Sequence, residues 1–157
     1  MRNTNKLIKW MKFISVIAII ISSYLLYLHY ADTSSFCDFS PSLSCDIVNK
    51  SRYSEFPIDS GIPVSFIGIL TFVTVIITLE LIKNNRTFNF GKTKIDRKKL
   101  SNFLFYLMVV SLIFALYLVY TELFLILSIC ILCVALDIII IIMLILSYKL
   151  RGVLNEK

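Results

Sequence analysis

Four long apolar stretches constrain this chain more than any other feature. They run from Phe13 to Tyr30, Ile62 to Ile82, Phe103 to Tyr120 and Leu123 to Leu146. Each is close to the roughly 20 residues that a helix needs to cross a bilayer core of about 30 Å. Backbone groups in lipid must be satisfied within their own segment, so the stretches read as helices and not as open strands. They use up most of the 157 residues, which leaves one domain, 1–157. Only 17% of residues are charged, against about 25% in a soluble domain. A water-soluble enzyme is excluded, and the expected fold class is an all-α membrane protein built as a four-transmembrane-helix bundle.

The connections are an outer loop, 31–61, and a cytoplasmic loop, 83–100. The third and fourth helices, separated only by Thr121 and Glu122, are expected to form a tight antiparallel hairpin. Arg2, Lys6, Lys9 and Lys12 give the first stretch a signal-like basic start. Tyr27-Leu28-His29-Tyr30 before Ala31 is a poor cleavage site, however, so that stretch is expected to stay as an anchor.

Fourteen of the sixteen basic residues lie in the N-terminal tail, the loop after Ile82 and the C-terminal tail (Lys149, Arg151, Lys157). The loop 31–61 has only Lys50 and Arg52, beside Asp32, Asp38, Asp46, Glu55 and Asp59. By the positive-inside rule both termini are expected in the cytoplasm and the polar loop outside. This topology accounts for the net charge of +6 without a nucleic-acid partner. The bilayer itself is the partner expected of the basic loop, through its anionic headgroups. Glu80 is expected at the cytoplasmic headgroups, Trp10 as an inner anchor, and His29 with Tyr24, Tyr27 and Tyr30 as an interfacial belt.

That topology puts all four cysteines in the outer half. Cys37 and Cys45 lie in the outer loop, where disulfides persist. Cys130 and Cys133 form a Cys-Ile-Leu-Cys pair toward the outer end of the fourth helix. A Cys-x-x-Cys pair near a helix start lies on one face within disulfide reach, and one of its thiols commonly has a lowered pKa. The segment Asp38 to Ser44, with Pro41 and several serines, reads as flexible enough to carry a thiol between partners. A mobile pair beside a fixed pair reads as a relay working by thiol–disulfide exchange. The alternatives are a static loop disulfide with helix cysteines that merely pack, or a thiophilic metal site.

Cys37, then Cys45-Asp-Ile-Val-Asn-Lys-Ser51-Arg52, then Gly61-Ile-Pro-Val-Ser65-Phe-Ile-Gly68, then Cys130-Ile-Leu-Cys133 resembles the vitamin K epoxide reductase (VKOR) family. The DsbB-type oxidases share the chemistry but carry their Cys-x-x-Cys in the first outer loop. The resemblance implies a bundle around a quinone (menaquinone, ubiquinone or vitamin K type), with the outer loop capping the quinone pocket. It implies that Cys133 faces the quinone, that Cys130 exchanges with the loop through a Cys45–Cys130 mixed disulfide, and that Cys37 and Cys45 form the shuttle pair. Ser51 matches a family serine or threonine near the active site. Two positions depart from the animal members: Asp137 stands where they have a quinone-bonding tyrosine, and Val64 roughly where they have an asparagine.

A stand-alone, prokaryotic-type member is expected, whose thioredoxin-like partner is a separate polypeptide. Asp137, one turn beyond Cys133, should face the bundle, because a charge at mid-bilayer costs roughly 2.5–3.5 kcal/mol. It is a candidate to hydrogen-bond a quinone oxygen or handle a proton, and Phe66 is a candidate for the pocket lining. The function expected is a quinone-dependent thiol oxidoreductase. Its rivals are quinone or epoxide reduction as the main role, and a non-enzymatic membrane metal-binding protein.

Overall fold

The computed structural model describes residues 2–31, 35–38, 40, 42–57, 61–84, 88–90 and 93–155. Asp32, Pro41, Asp59 and Lys157, invoked above, lie outside them, and so does part of the segment read as flexible. The long helices are α1 (Arg2–Tyr30), α3 (Val64–Lys83), α4 (Arg97–Tyr120) and α5 (Ile131–Asn155), with a short α2 (Cys45–Asn49) in the loop between α1 and α3. All four long helices are long and apolar enough to cross a membrane. They close into a ring in which α1 packs on α3 and α5, and α4 packs on α5 and α3. The connection between α3 and α4 carries a small antiparallel hairpin, β1 (Phe88–Phe90) with β2 (Thr93–Ile95), Phe88 opposite Ile95.

The outward surface is what lipid requires. Phe13, Ile20, Leu70, Ile77, Val110, Ile113, Ile138 and Ile145 are exposed along the four helices. So broad an apolar surface would be a liability in water. Trp10, Tyr106 and Tyr148 are exposed at one end, and Tyr27, Tyr30 and Tyr120 at the other. These are the levels at which amphipathic rings settle in a bilayer.

Three helices extend beyond their apolar stretches. α1 starts at Arg2 and not near Phe13, because Ile8 and Met11 continue its buried face through the polar start. α4 starts at Arg97, where the Asp96 carboxylate accepts the Arg97 amide at 2.7 Å. α5 runs on to Asn155 past Leu150 and Leu154, which join the core.

The expected tight hairpin after Tyr120 is not what forms. A wide helical turn spans Thr121–Ile126, Leu127 adopts a left-handed conformation (φ 56°), and α5 begins only at Ile131. The fourth helix thus starts eight residues later than its apolar run. Hydropathy cannot separate helix from irregular backbone in Leu123–Ile129, because both are equally apolar. What ends the helix is local pairing: Ser128 N–H donates to the Glu122 carbonyl (3.2 Å) and Ile129 N–H to the Ser42 carbonyl (3.1 Å).

Candidate active site

The loop between α1 and α3 is fastened over the cysteine end of the bundle by polar contacts. Ser44 caps α2 by accepting the Ile47 amide at 3.2 Å, which turns Cys45, Val48 and Asn49 inward. The Asn49 amide donates to the Leu25 carbonyl at 2.7 Å. Its own carbonyl accepts from His29 Nδ1 and from Ser54 Oγ, both at 2.7 Å. His29, read above as part of an aromatic belt, thus ties the end of α1 to the cap, and its other ring nitrogen lies 3.7 Å from Glu55. The Asp46 carboxylate accepts the Ser35 amide at 3.0 Å.

Under this cap the sulfurs converge. Cys37 and Cys45 are joined as a disulfide, with Cα atoms 5.7 Å apart. Both are buried in one cluster with Cys130, Leu25 and Val48, against which Cys133 packs. Cys130 and Cys133 are thiols. Cys130 occupies the residue before α5 and acts as its cap: its sulfur accepts the Cys133 amide at 3.3 Å, the place a serine oxygen takes in an ordinary N-cap. Hydrogen bonds from Cys133, first from its side chain and then from its backbone, hold the Cys130 thiol below its ordinary pKa. A helix N-terminus favours the same thiolate.

Glu122 is the residue that the sequence reading passed over as a hairpin linker. It is 5% exposed. Its carboxylate accepts the Cys130 amide at 3.2 Å and also meets the Cys133 side chain. A lone acid inside an otherwise apolar run, eight residues before a cysteine pair, was the available signal.

Cys133 opens onto a cavity of about 130 Å³ lined by all four long helices and the cap. Its accessible lining is mostly apolar, from Leu25, Ile67, Phe72, Phe114 and Leu136 among others, interspersed with polar side chains such as Asn49, Ser51, Tyr53, Glu122 and Asp137. Such a lining suits a flat apolar ring carrying a small number of hydrogen-bonding atoms. Two of the polar groups, the hydroxyls of Ser22 and Ser65, are buried with no hydrogen-bond partner. No group of three or more His, Cys, Asp or Glu side chains that could hold a metal ion occurs among the described residues.

The model of the vitamin K epoxide reductase family matches residues 9–148 of the chain. The chain belongs to the VKOR family. No curated protein sequence matches it. Membership makes it a membrane thiol oxidoreductase of a quinone-linked family, as the order of its cysteine motifs suggested.

The VKOR motif residues fall as follows. Asp137 and Ser51 line the cavity, together with Cys133. The Ser51 hydroxyl is already engaged, donating to the Val48 carbonyl at 2.8 Å. Val64, the other departure from the animal pattern, lines the cavity as well. Phe66 does not: it is 43% exposed and is not among the lining residues. On α3 the cavity face is Val64, Ser65, Ile67, Gly68, Thr71 and Phe72, and Phe66 lies on the opposite side of the helix, toward lipid.

Proposed function

We propose that the protein is a quinone-dependent thiol oxidoreductase that generates disulfides in a thioredoxin-like protein outside the membrane. Electrons pass from Cys37 and Cys45 to Cys130 and Cys133 and on to a membrane quinone. Both termini are then cytoplasmic and all four cysteines lie at the outer face. The observation that carries this reading is unbroken sulfur proximity: the loop disulfide and Cys130 share one buried cluster, and Cys133 borders that cluster and the cavity.

In this reading two thiols of the external protein reduce the Cys37–Cys45 disulfide and leave as a disulfide. The Cys45 thiolate attacks the Cys130 sulfur of a Cys130–Cys133 disulfide, forming a Cys45–Cys130 bond and releasing Cys133. Cys37 then attacks Cys45, which restores the loop disulfide and leaves the helix pair as two thiols. A joined loop pair above a reduced helix pair, the bonding of the structure, corresponds to that last state.

A bound quinone supplies a two-electron, two-proton acceptor. Cys133 presents its sulfur to the cavity, and Asp137, one turn on, holds a carboxyl on the same wall. That carboxyl can donate a hydrogen bond or a proton to an oxygen placed there. Glu122 steadies the Cys130 amide, and Ser51 holds the end of α2 in place over the cavity.

The test is quinone reduction by the purified protein in detergent, supplied with a reduced thioredoxin-like protein. Turnover is expected in the parent and is lost in Cys133→Ala even with dithiothreitol as donor. Cys37→Ala is expected to keep turnover with dithiothreitol and lose it with the protein donor. An intact protein that reduces no quinone with either donor would overturn the proposal.

A further inference from the structure

Glu122 is the only buried carboxyl among the described residues, at 5% exposure. A carboxylate so placed is costly unless hydrogen bonds or a cation offset its lost hydration. No Lys, Arg or His pairs with it among the described residues. Its partners are the two helix cysteines instead. One carboxylate oxygen accepts the Cys130 amide at 3.2 Å, and the Cys133 side chain is the second donor. Glu122 also lines the cavity onto which Cys133 opens.

The two sulfurs of the helix pair are placed unlike each other. Cys130 lies in the cluster that holds Cys37 and Cys45, and its sulfur accepts the Cys133 amide at the start of α5. That end of a helix favours a thiolate. Cys133 lies inside the first turn of α5 and borders the cavity. A thiolate expelled there faces the carboxyls of Glu122 and Asp137 in mostly apolar surroundings. Cys130 can therefore attack and leave as an anion, whereas Cys133 needs a proton when its bond to Cys130 breaks. Of the two carboxyls, Glu122 is the one that meets its side chain.

We infer that Glu122 is the acid–base group of Cys133, giving its sulfur a proton when the Cys130–Cys133 bond breaks and taking that proton back when the bond is remade. The inference rests on the reading of Cys130 and Cys133 as a redox pair and adds a catalytic residue to it. A thiolate attacks Cys130 Sγ, and the new S–S bond forms as the old one breaks. The electron pair of the broken bond stays on Cys133 Sγ, which takes the proton of the Glu122 carboxyl. A second thiol, losing its own proton to water, then displaces Cys130 as a thiolate, and the two attacking sulfurs leave as a disulfide. In the disulfide state Cys133 has no S–H to donate, so a charged Glu122 keeps only the Cys130 amide. In the dithiol state the S–H returns as its second donor. The carboxyl is thus charged when the sulfur holds the proton and neutral when it does not, since hydrogen bonds to the charged form favour it.

The test isolates the helix pair in Cys37→Ala/Cys45→Ala protein, purified in detergent and oxidised with copper phenanthroline. Reduction of the Cys130–Cys133 disulfide by dithiothreitol is followed by alkylation and mass shift. Adding Glu122→Gln is expected to slow it about 10²-fold. Glutamine keeps an acceptor for the Cys130 amide, so the melting temperature should stay near that of the background. A second measurement needs no change at Glu122: the infrared difference between the oxidised and the reduced pair. It is expected to show a carboxylic-acid C=O stretch lost and an S–H stretch gained on reduction. Asp137 of α5 and Tyr53 of the cap are the other titratable groups beside Cys133 in the lining, and α1, α3 and α4 contribute none. The lost C=O stretch should therefore persist in Asp137→Asn and be missing in Glu122→Gln.

Reduction of the Glu122→Gln protein as fast as the background overturns the inference and leaves the redox pair standing. So does a pair reduced without loss of a carboxylic-acid band, or a band that disappears in Asp137→Asn. The infrared result decides in the same way where Glu122→Gln does not fold. Helix cysteines that form no disulfide reducible by dithiothreitol overturn the inference and the oxidoreductase reading together.

Discussion

At the basic end of the bundle, Ile8, Met11, Leu79, Ile82, Leu104, Met108, Met143 and Leu150 close on one another with at most 1% of any of them exposed. At the cysteine end the same four helices part around a cavity. There the buried set is two cysteines of the cap, Cys130, Val48 and Leu25, interleaved with Asn49, Ser22, Ser128 and Glu122. Lipid tails are as apolar as a leucine core, so burial as such draws membrane helices together only weakly, and packing and polar contacts decide. The basic end relies mainly on packing. The cysteine end gives packing up and fastens its cap with hydrogen bonds through Asn49, His29 and Asp46. Fold is held at one end and chemistry is held at the other.

The sharpest way to break this division is to cut the relay. Cys130→Ala is expected to lower quinone reduction by at least about 10³-fold. It should also leave Cys37 and Cys45 reduced when a protein thiol is supplied, as read by alkylation and mass shift. If the loop pair stays oxidised while thiol donor is consumed, the two pairs do not communicate and the cysteine end is merely structural.

Next in size is Glu122→Ala, which leaves the buried Cys130 amide without its acceptor. A cost of about 1–3 kcal/mol is expected, measured by denaturation in mixed micelles. Glu122→Gln keeps an oxygen in place and should recover most of that loss. Equal losses in the two variants would mean that the negative charge at the start of α5 matters, and not the hydrogen bond.

That residue also marks the limit of what was legible in the sequence. The four crossings could be read because length and hydropathy are enough to specify a helix in lipid. The four cysteines could be read because their spacing and order belong to one family. The turn at Thr121–Ile126 could not, since Leu123–Ile129 is as apolar as the helices beside it. Its termination depends on Ser42 and Glu122, contacts that are fixed only in three dimensions. Phe66 was proposed by residue type, whereas the face decides: Ser65, Gly68 and Phe72 keep helical register with one another and Phe66 does not. The unpartnered state of Ser22 and Ser65 likewise has no sequence signature, because Ser15, in the same helix as Ser22, and Ser111 in α4 are the same residue type and are satisfied.

The packed end offers a matched test. Leu104→Ala removes a fully buried side chain from the basic end. The expected cost is about 1–2 kcal/mol, below the 2–5 kcal/mol usual in soluble cores, because lipid offers the unfolded helix the same apolar surroundings and only packing is lost. Quinone turnover at a temperature where the variant is folded should stay within about twofold of the parent. A large loss of turnover would show the two ends to be coupled.

The smallest effect should come from an ion pair at the basic end, that of Lys12 in α1 with Glu80 in α3. The Asn84 amide also donates to Glu80, at 3.4 Å. The Glu80 side chain is 46% exposed, so its charge is shared with water and headgroups. Pairs of this kind contribute little, in the range of about 0–1 kcal/mol. Glu80→Gln retains an acceptor for Asn84 and is expected to lower stability by less than about 1 kcal/mol, with the difference shrinking as salt is raised. A loss as large as that of Leu104→Ala would mean that the basic end depends on charge as well as packing, and the contrast between the two ends would then be one of degree.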